Sequence, residues 1–444
     1  MERFALSRMK EWKENENRKP LIIRGARQVG KTWIMKTFGQ QYFEKTAYVN
    51  FDNNARMKQV FEGDLDIERL VLSISAETGV SIEAENTLII FDEVQEVPKA
   101  LTSLKYFYEN APQYAIVAAE SLLGVALHQG TSFPVGKVDF LDLYPLNFRE
   151  FLCAMGEKQF VSMLDSCDTQ MVTVFKTKYI ERLREYYFVG GMPEVVKDFS
   201  EKKDYNRVRA IQKNLINYYQ QDFSKHAEIK LVPRLNLVWN SIPMQLAKEN
   251  KKYIYGQVRE GSRAKDFELA IQWLLDCGLI HKVQRIQKPD LPLKAYIDFD
   301  AFKLFLVDIG LLIAMTDLDA KVIIEGNKIF TEFKGALTEQ YILQQLISDV
   351  GVIPYYYSTQ NSKGEIDFLV QGKTSVIPIE VKAEENLKAK SLKAFCEKYQ
   401  PSYAVRTSMS DYREQDWMTN IPLYAVKWIK NCLLYTSPSP RDRG

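Results

Sequence analysis

The chain has 444 residues, of which 46% are hydrophobic and 26% charged, with a formal net charge of +2. That length exceeds one core and calls for about two to four domains. Near-neutrality excludes a nucleic-acid surface spread over the whole molecule, so any such surface must come from local clustering. No run approaches the ~18 uninterrupted apolar residues of a membrane helix; the best, YAIVAAESLLGVAL, contains Glu120.

The N-terminal MERFALSRMKEWKENENRK is charged throughout and lacks the apolar centre of a signal peptide. Five cysteines (Cys153, Cys167, Cys277, Cys396, Cys432) form no C-x-x-C pair, and the three histidines are dispersed. No zinc site is expected, and the thiols read as reduced ones in a cytoplasmic protein.

Residues 21–39, LIIRGARQVGKTWIMKTFG, carry G-x-x-x-x-G-K-[ST] between an apolar run and a helical one. In such a loop, glycines free backbone N–H groups to wrap an anionic phosphate at a helix N-terminus. Gly25, Ala26, Arg27, Gln28, Val29, Gly30, Lys31, Thr32 and Trp33 are the candidate nucleotide contacts. Lys31 would reach the β- and γ-phosphates of ATP, and Thr32 would ligate Mg²⁺. The competing reading is a chance match in a Gly-containing turn.

AYVNFD (47–52) and YAIVAAES (114–121) read as further strands, and ALTSLKYFYENA as a helix between strands. TLIIFDEVQEV (87–97) reads as a buried parallel strand that delivers Asp92 and Glu93 to its carboxyl end. Asp92 would hold Mg²⁺ through water, and Glu93 would polarise the attacking water. Ser121 ends the fourth strand, where it would touch the γ-phosphate or simply cap a helix ahead of LLGVAL.

From about residue 156 the pattern turns helical, with Gly190, Gly191 and Pro193 as a turn; Tyr186, Tyr187 and Phe188 read as packing. Residues 201–265 hold 14 Lys/Arg against 6 Asp/Glu. SIPMQLAKEN and RAKDFELAIQWLLDCGLI read as two helices, and HKVQRI followed by LKAYI suggests a hairpin, together a winged-helix arrangement. Arg259, Arg263 and Lys265 would meet DNA phosphates there; a solvated basic face or a protein-contact surface is the alternative.

GALTEQYILQQL is a helix with Glu339, followed by strand, turn, strand and helix in KGEIDFLVQGKTSVIPIEVKAEENLKAKSLKAFCEKY. A two-residue loop at Lys373-Thr374 would set Asp367 opposite Glu380, with Lys382 on the same face as Glu380. Asp367 and Glu380 would then hold Mg²⁺, and Lys382 would stabilise an attacking hydroxide or phosphate charge. Ordinary strands with solvated charges, or a fold kept for binding alone, are the rival readings. The final CLLYTSPSPRDRG breaks abruptly from what precedes it and reads as an adapter-derived, non-native tail.

RGARQVGKT, LIIFDEVQ, LDLYPLNFREFL and FVGGMPEVV, in that order, resemble a family of AAA-type ATPases of bacteria and archaea that carry a C-terminal domain of uncharacterised function. The resemblance runs from about residue 20 to about 400. It implies a helical lid behind the ATPase core, and a winged helix. The D…E-V-K pattern after an acidic helix is similar to the PD-(D/E)XK nuclease superfamily, which implies catalytic roles for Glu339, Asp367, Glu380 and Lys382.

Two departures stand out. The family's Thr-Gly-Ser after the fourth strand is Ala119, Glu120 and Ser121 here, and its Arg before the LYPL segment is Lys137. Lysine lacks the bidentate fork of an arginine finger, which leaves Arg149 as a substitute. The expected fold is therefore α/β: an ATPase core (1–155), a helical lid (156–225), a winged helix (226–320) and a restriction-endonuclease-like α/β domain (321–431), then the tail (432–444). The expected function is an ATP- and Mg²⁺-dependent ATPase acting on DNA, with a homo-oligomer or protein partner. Its rival is a nucleotide-switched scaffold that does not cleave.

Overall fold

Apolar runs build the first sheet in a computed structural model, which describes residues 1–121, 134–248, 251–325, 331–359, 364–385 and 389–434. Strands β1 (Leu21–Gly25), β2 (Lys45–Asn50), β3 (Thr87–Asp92), β4 (Ala115–Ser121) and β5 (Asp139–Asp142) pair in parallel in the order β2-β3-β4-β1-β5. Every residue of β3 is buried, as a strand covered on both faces requires. Helices α1 (Ala5–Glu14), α2 (Lys31–Tyr42), α3 (Ala55–Glu62), α4 (Ile67–Thr78) and α5 (Pro98–Asn110) accompany it.

Their ends follow local chemistry. The Asn54 side chain accepts the Met57 N–H at the start of α3, Asp66 accepts the Arg69 N–H at the start of α4, and Pro98 opens α5. Phe51, Phe61, Phe91, Leu104 and Phe107 pack into one core with Ile89 and Ile116. This unit comprises Glu2–Tyr144 with Gln272–Leu279.

The second unit contains the described residues of Pro145–Ile271 and from Ile280 onward. It opens with helices Phe148–Ala154, Lys158–Ser166, Thr169–Val174, Lys176–Val189, Pro193–Lys202 and Tyr205–His226. Asn147 and Glu150 cap the first reciprocally: the Glu150 N–H donates to Asn147 Oδ1 at 2.9 Å and the Asn147 N–H to Glu150 Oε2 at 3.2 Å. Helices Val232–Leu246, Tyr255–Val258 and Ala264–Asp276 follow in the chain.

Its sheet consists of β6 (Ile280–Ile286), β7 (Ile297–Leu306), β8 (Tyr355–Ser358), β9 (Glu365–Gln371), β10 (Val376–Val381), β11 (Val405–Ser408), β12 (Arg413–Glu414) and β13 (Thr419–Pro422), in the order β12-β13-β11-β10-β9-β8-β6-β7. Helix Lys390–Tyr399 lays Leu392 and Phe395 in a core with Ile366, Leu369, Val376 and Tyr357.

β6 and β7 do form an antiparallel hairpin, but LKAYI is mostly a 3₁₀ turn (Leu293–Tyr296), and β7 is the longer strand that follows. The hairpin is no separate wing, because β6 also pairs in parallel with β8 through Arg285↔Tyr356 and Ile286↔Tyr357. A single sheet therefore runs across the boundary expected at 320. The helices expected as a lid and the C-terminal strands belong to one unit, which takes in residues from Pro145. In the segment set aside as a tail, Cys432 is buried on the helix Ile429–Leu434, and residues 435–444 lie outside the described residues.

Candidate nucleotide site and the C-terminal carboxylates

β1 runs into the glycine loop and α2 leaves it, with Gly30 in the left-handed region at φ 95°. Gly25 lies so near its neighbour strand that a Cβ there would sit 2.3 Å from the Leu143 carbonyl oxygen. Only glycine fits that approach. Lys31, largely buried, donates from Nζ to the Gly25 and Ala26 carbonyls, at 2.9 Å each. Burial pulls its pKa down to about 8, against the nearby charges of Glu93 and Asp92.

The Thr32 hydroxyl donates to Asp92 Oδ2 at 2.7 Å, although sixty positions separate them. The Tyr48 hydroxyl donates to the same oxygen at 2.8 Å, and the Glu93 N–H reaches Asp92 Oδ1 at 3.2 Å. Burial and the bond to Asp92 push the Tyr48 phenol well above its usual range. Glu93 adopts φ 51°, ψ 45°, and its Oε2 accepts the Gln95 amide at 2.5 Å. Trp33, beside Thr32, is 40% exposed. Thr32 and Asp92 form a hard oxygen pair, the donor set that suits Mg²⁺ shared with phosphates.

Some neighbours were not anticipated from sequence. Arg3 donates from Nη1 to the Val29 carbonyl at 3.0 Å and from Nη2 to Tyr144 O at 2.6 Å, bracing the loop from another element. Glu120, buried on β4 in register with Arg24, has its carboxyl pushed up to about 7 by burial, while Arg24 and Lys31 hold it down. Ser121 aligns with Gly25 in the ladder, but its side chain lies outside the described residues.

Arg149, the expected substitute for an arginine finger, is engaged elsewhere. Lys137 pairs with Glu109 at 3.0 Å. Arg149 is 7% exposed, with Nη1 on Asp349 Oδ1 at 2.8 Å and Nη2 on Asp165 Oδ2 at 2.6 Å. A guanidinium committed to two carboxylates in the interior of its unit cannot reach a phosphate.

In the C-terminal strands, the β9–β10 ladder runs from Gln371↔Val376 to Ile379↔Phe368, closed by the Gly372 N–H to Ser375 O bond around Lys373-Thr374. Asp367 and Glu380 stand one rung beyond it, yet they form no pair. Asp367 Oδ2 accepts the Val381 N–H at 2.7 Å, and the β8–β9 register slips between Tyr355 and Tyr357. Asp367 also meets Glu339 on the helix Thr331–Gln345, where the two carboxyls share a hydrogen bond. Glu380 is instead held by Lys382 Nζ at 2.7 Å and lies in register with Arg406.

Among the described residues no group of three or more His, Cys, Asp or Glu side chains is placed to hold a metal ion. The hydrogen-bond and ion-pair partners of the two differ: Asp367 meets the Val381 amide and Glu339, and Glu380 meets Lys382. Arg259, Arg263 and Lys265 are all exposed, the last in the first turn of Ala264–Asp276. Among the described residues no helix is long and apolar enough to cross a membrane.

A glycine loop between parallel strand and helix, facing a Thr–Asp pair at the sheet's carboxyl edge, defines a P-loop nucleotide-binding fold. Residues 17–152 match the family model described as "AAA domain", and this region is an AAA-type ATPase-like domain. Residues 180–322 and 334–426 match two models described as domains of unknown function, DUF8612 and DUF4143.

Among solved structures, a Walker-type ATPase of Pyrococcus abyssi is similar at 14% identity and TM-score 0.43, over 71% of this chain and 95% of that one. The Aeropyrum pernix Orc1 protein in complex with DNA is similar at 12% and 0.27, over 70% and 91%. The Thermotoga maritima RuvB Holliday junction branch migration motor is similar at 11% and 0.30, over 62% and 87%. No curated protein matches the sequence.

Proposed function

We propose that this chain is a cytoplasmic, Mg²⁺-dependent ATPase whose C-terminal unit binds a partner rather than cleaving it. The observation that carries the ATPase reading is the 2.7 Å bond between Thr32 and Asp92, which brings two motifs to one point beside Lys31. In this reading the amides of Gly25 to Trp33 wrap the phosphates and Lys31 neutralises the β- and γ-phosphates. Thr32 and Asp92 hold Mg²⁺, which when bound shields the charge that builds up on the phosphoryl oxygens. Glu93 orients the water, with Gln95 fixing its carboxylate. Ser121, in register with Gly25, would touch the γ-phosphate in this reading.

DNA is the partner we favour, contacted by Arg259, Arg263 and Lys265. Their exposure at the start of a helix within a basic segment supports this. A homo-oligomer or a protein partner would supply the arginine that Lys137 and Arg149 do not. The non-cleaving reading is favoured over a nuclease by the separate engagement of Asp367 and Glu380. ATP turnover measured with and without duplex DNA, beside a supercoiled-plasmid nicking assay in Mg²⁺ or Mn²⁺, tests both parts. ATPase activity stimulated by DNA without nicking is expected. No ATP turnover under any condition removes the first part, and nicking that Asp367→Asn abolishes removes the second.

A further inference from the structure

Lys303 lies on β7 with no exposed surface. Its Nζ is 2.5 Å from Glu365 Oε1 and 3.5 Å from Glu339 Oε2. The Lys251 ammonium pairs with the other oxygen of Glu339. Asp367 joins through Glu339 and through the Val381 amide. Five ionisable groups thus meet in one largely buried cluster, and two of them are cations supplied by the chain itself.

The charges close on themselves. Burial alone would lower the Lys303 pKa, but Glu339, Glu365 and Asp367 outweigh it and raise the pKa above its ordinary value. Burial and the Glu339 charge push the Asp367 carboxyl above its ordinary range. Two ammonium groups thus face three carboxyl groups. Hard divalent cations need several ionised or carbonyl oxygens free to turn toward them; here ammonium groups hold Glu339 Oε1 and Glu365 Oε1, and the Lys303 ammonium stands 3.5 Å from Glu339 Oε2, which accepts no hydrogen bond. The residues present do not fit a metal.

We propose that Lys251 and Lys303 are resident counter-cations of the Glu339–Glu365–Asp367 cluster, supplying the charge balance that a divalent ion would otherwise give, and that this metal-free cluster fastens β7 and the Lys251 segment to the C-terminal strands. The lysines come from the segment matching one domain model, 180–322, and the carboxyls from the segment matching the other, 334–426. Removing either partner of such a buried pair leaves an uncompensated charge, so the joint between the two segments is weakened when one member is lost.

The test uses the full chain without nucleotide, which keeps it independent of the ATPase reading. Mn²⁺ alone is titrated into the parent, Glu339→Gln and Lys303→Met, with the bound metal counted by electron paramagnetic resonance and folding followed by circular dichroism. Parent and Glu339→Gln should bind Mn²⁺ identically. Lys303→Met, which frees two carboxylates, should gain one site at least about tenfold tighter than any in the parent, and its melting temperature should rise with Mn²⁺. A parent site that Glu339→Gln removes overturns the proposal, and so does a folded Lys303→Met that gains none. Should Lys303→Met fail to fold even with Mn²⁺, the comparison of parent with Glu339→Gln decides.

Discussion

The Gly191 amide donates to Asp308 Oδ2 at 2.6 Å, and this single contact gives the FVGGMPEVV segment its shape. The other Asp308 oxygen accepts the Leu311 N–H at 3.1 Å and so caps the helix Ile309–Met315. Gly190 has φ 73°, and a Cβ on it would stand 2.2 Å from Asp308 Oδ1, so a side chain is refused twice over. Gly191 O in turn accepts the Leu146 N–H at 2.7 Å, which ties LYPLNFREFL to FVGGMPEVV.

Asp308→Asn should lower stability by about 1–3 kcal/mol at pH 4, because the NH₂ of an amide must face one of the two N–H donors, whereas a carboxyl keeps an oxygen toward each. Its pH dependence has a definite sign. Burial raises the Asp308 pKa to about 6 from 3.8, despite the N–H groups that favour the ionised form. A raised carboxyl stabilises the fold below the lower value, and that contribution is lost as pH rises through the higher one. Urea midpoints at pH 4, 5, 6 and 7 should show the parent's advantage over Asp308→Asn shrinking between 4 and 6. A constant difference across that window would falsify the assignment.

Lys31→Ala should abolish useful ATP binding, since it removes the one ammonium held at the mouth of the loop. Equilibrium binding of a fluorescent ATP analogue measures this, with Trp33 emission as a second readout. Parent-like affinity would mean the phosphates lie elsewhere.

Glu93→Gln should keep ATP binding while hydrolysis falls by about 10²–10³, the usual scale for one positioning or electrostatic group. Single-turnover rates separate the two effects. Hydrolysis at the parent rate would transfer the role to another acid near the site, Glu120 first.

Replacing Arg259, Arg263 and Lys265 together by Ala should weaken DNA binding and flatten its logarithmic salt dependence by up to about three units. Anisotropy titrations at several salt concentrations give the slope. An unchanged slope would reassign this surface to a protein partner.

The P-loop and Asp92 were legible because their chemistry is local: glycines, lysine and threonine at fixed offsets, and an acid ending a wholly apolar strand. Arg3 and Tyr48 were not, since each reaches the site from an element whose own sequence carries no signal of it. The two-residue loop between β9 and β10 could be read from its turn residues, but the meeting of Asp367 with Glu339 depends on how a separate helix packs on the strands. Lys303, in IDFDAFKLFL, looks like the exposed member of an alternating strand. It is buried against Glu339, Glu365 and Tyr356, partners from three later elements that no local pattern announces. Arg149 looked free to serve catalysis only because Asp165 and Asp349 are remote in sequence.

The attachment of β6–β7 to β8 also sets an order of events at the ribosome. The hairpin and its Lys303 emerge before any of the strands and carboxylates that complete them have been made. At about 5–20 residues per second, the nascent hairpin must wait some seconds with an ammonium it cannot bury and an edge it cannot close. The first unit, by contrast, has its entire sheet in hand by Asp142. Co-translational folding should therefore be early for the nucleotide site and late for everything that Lys303 joins.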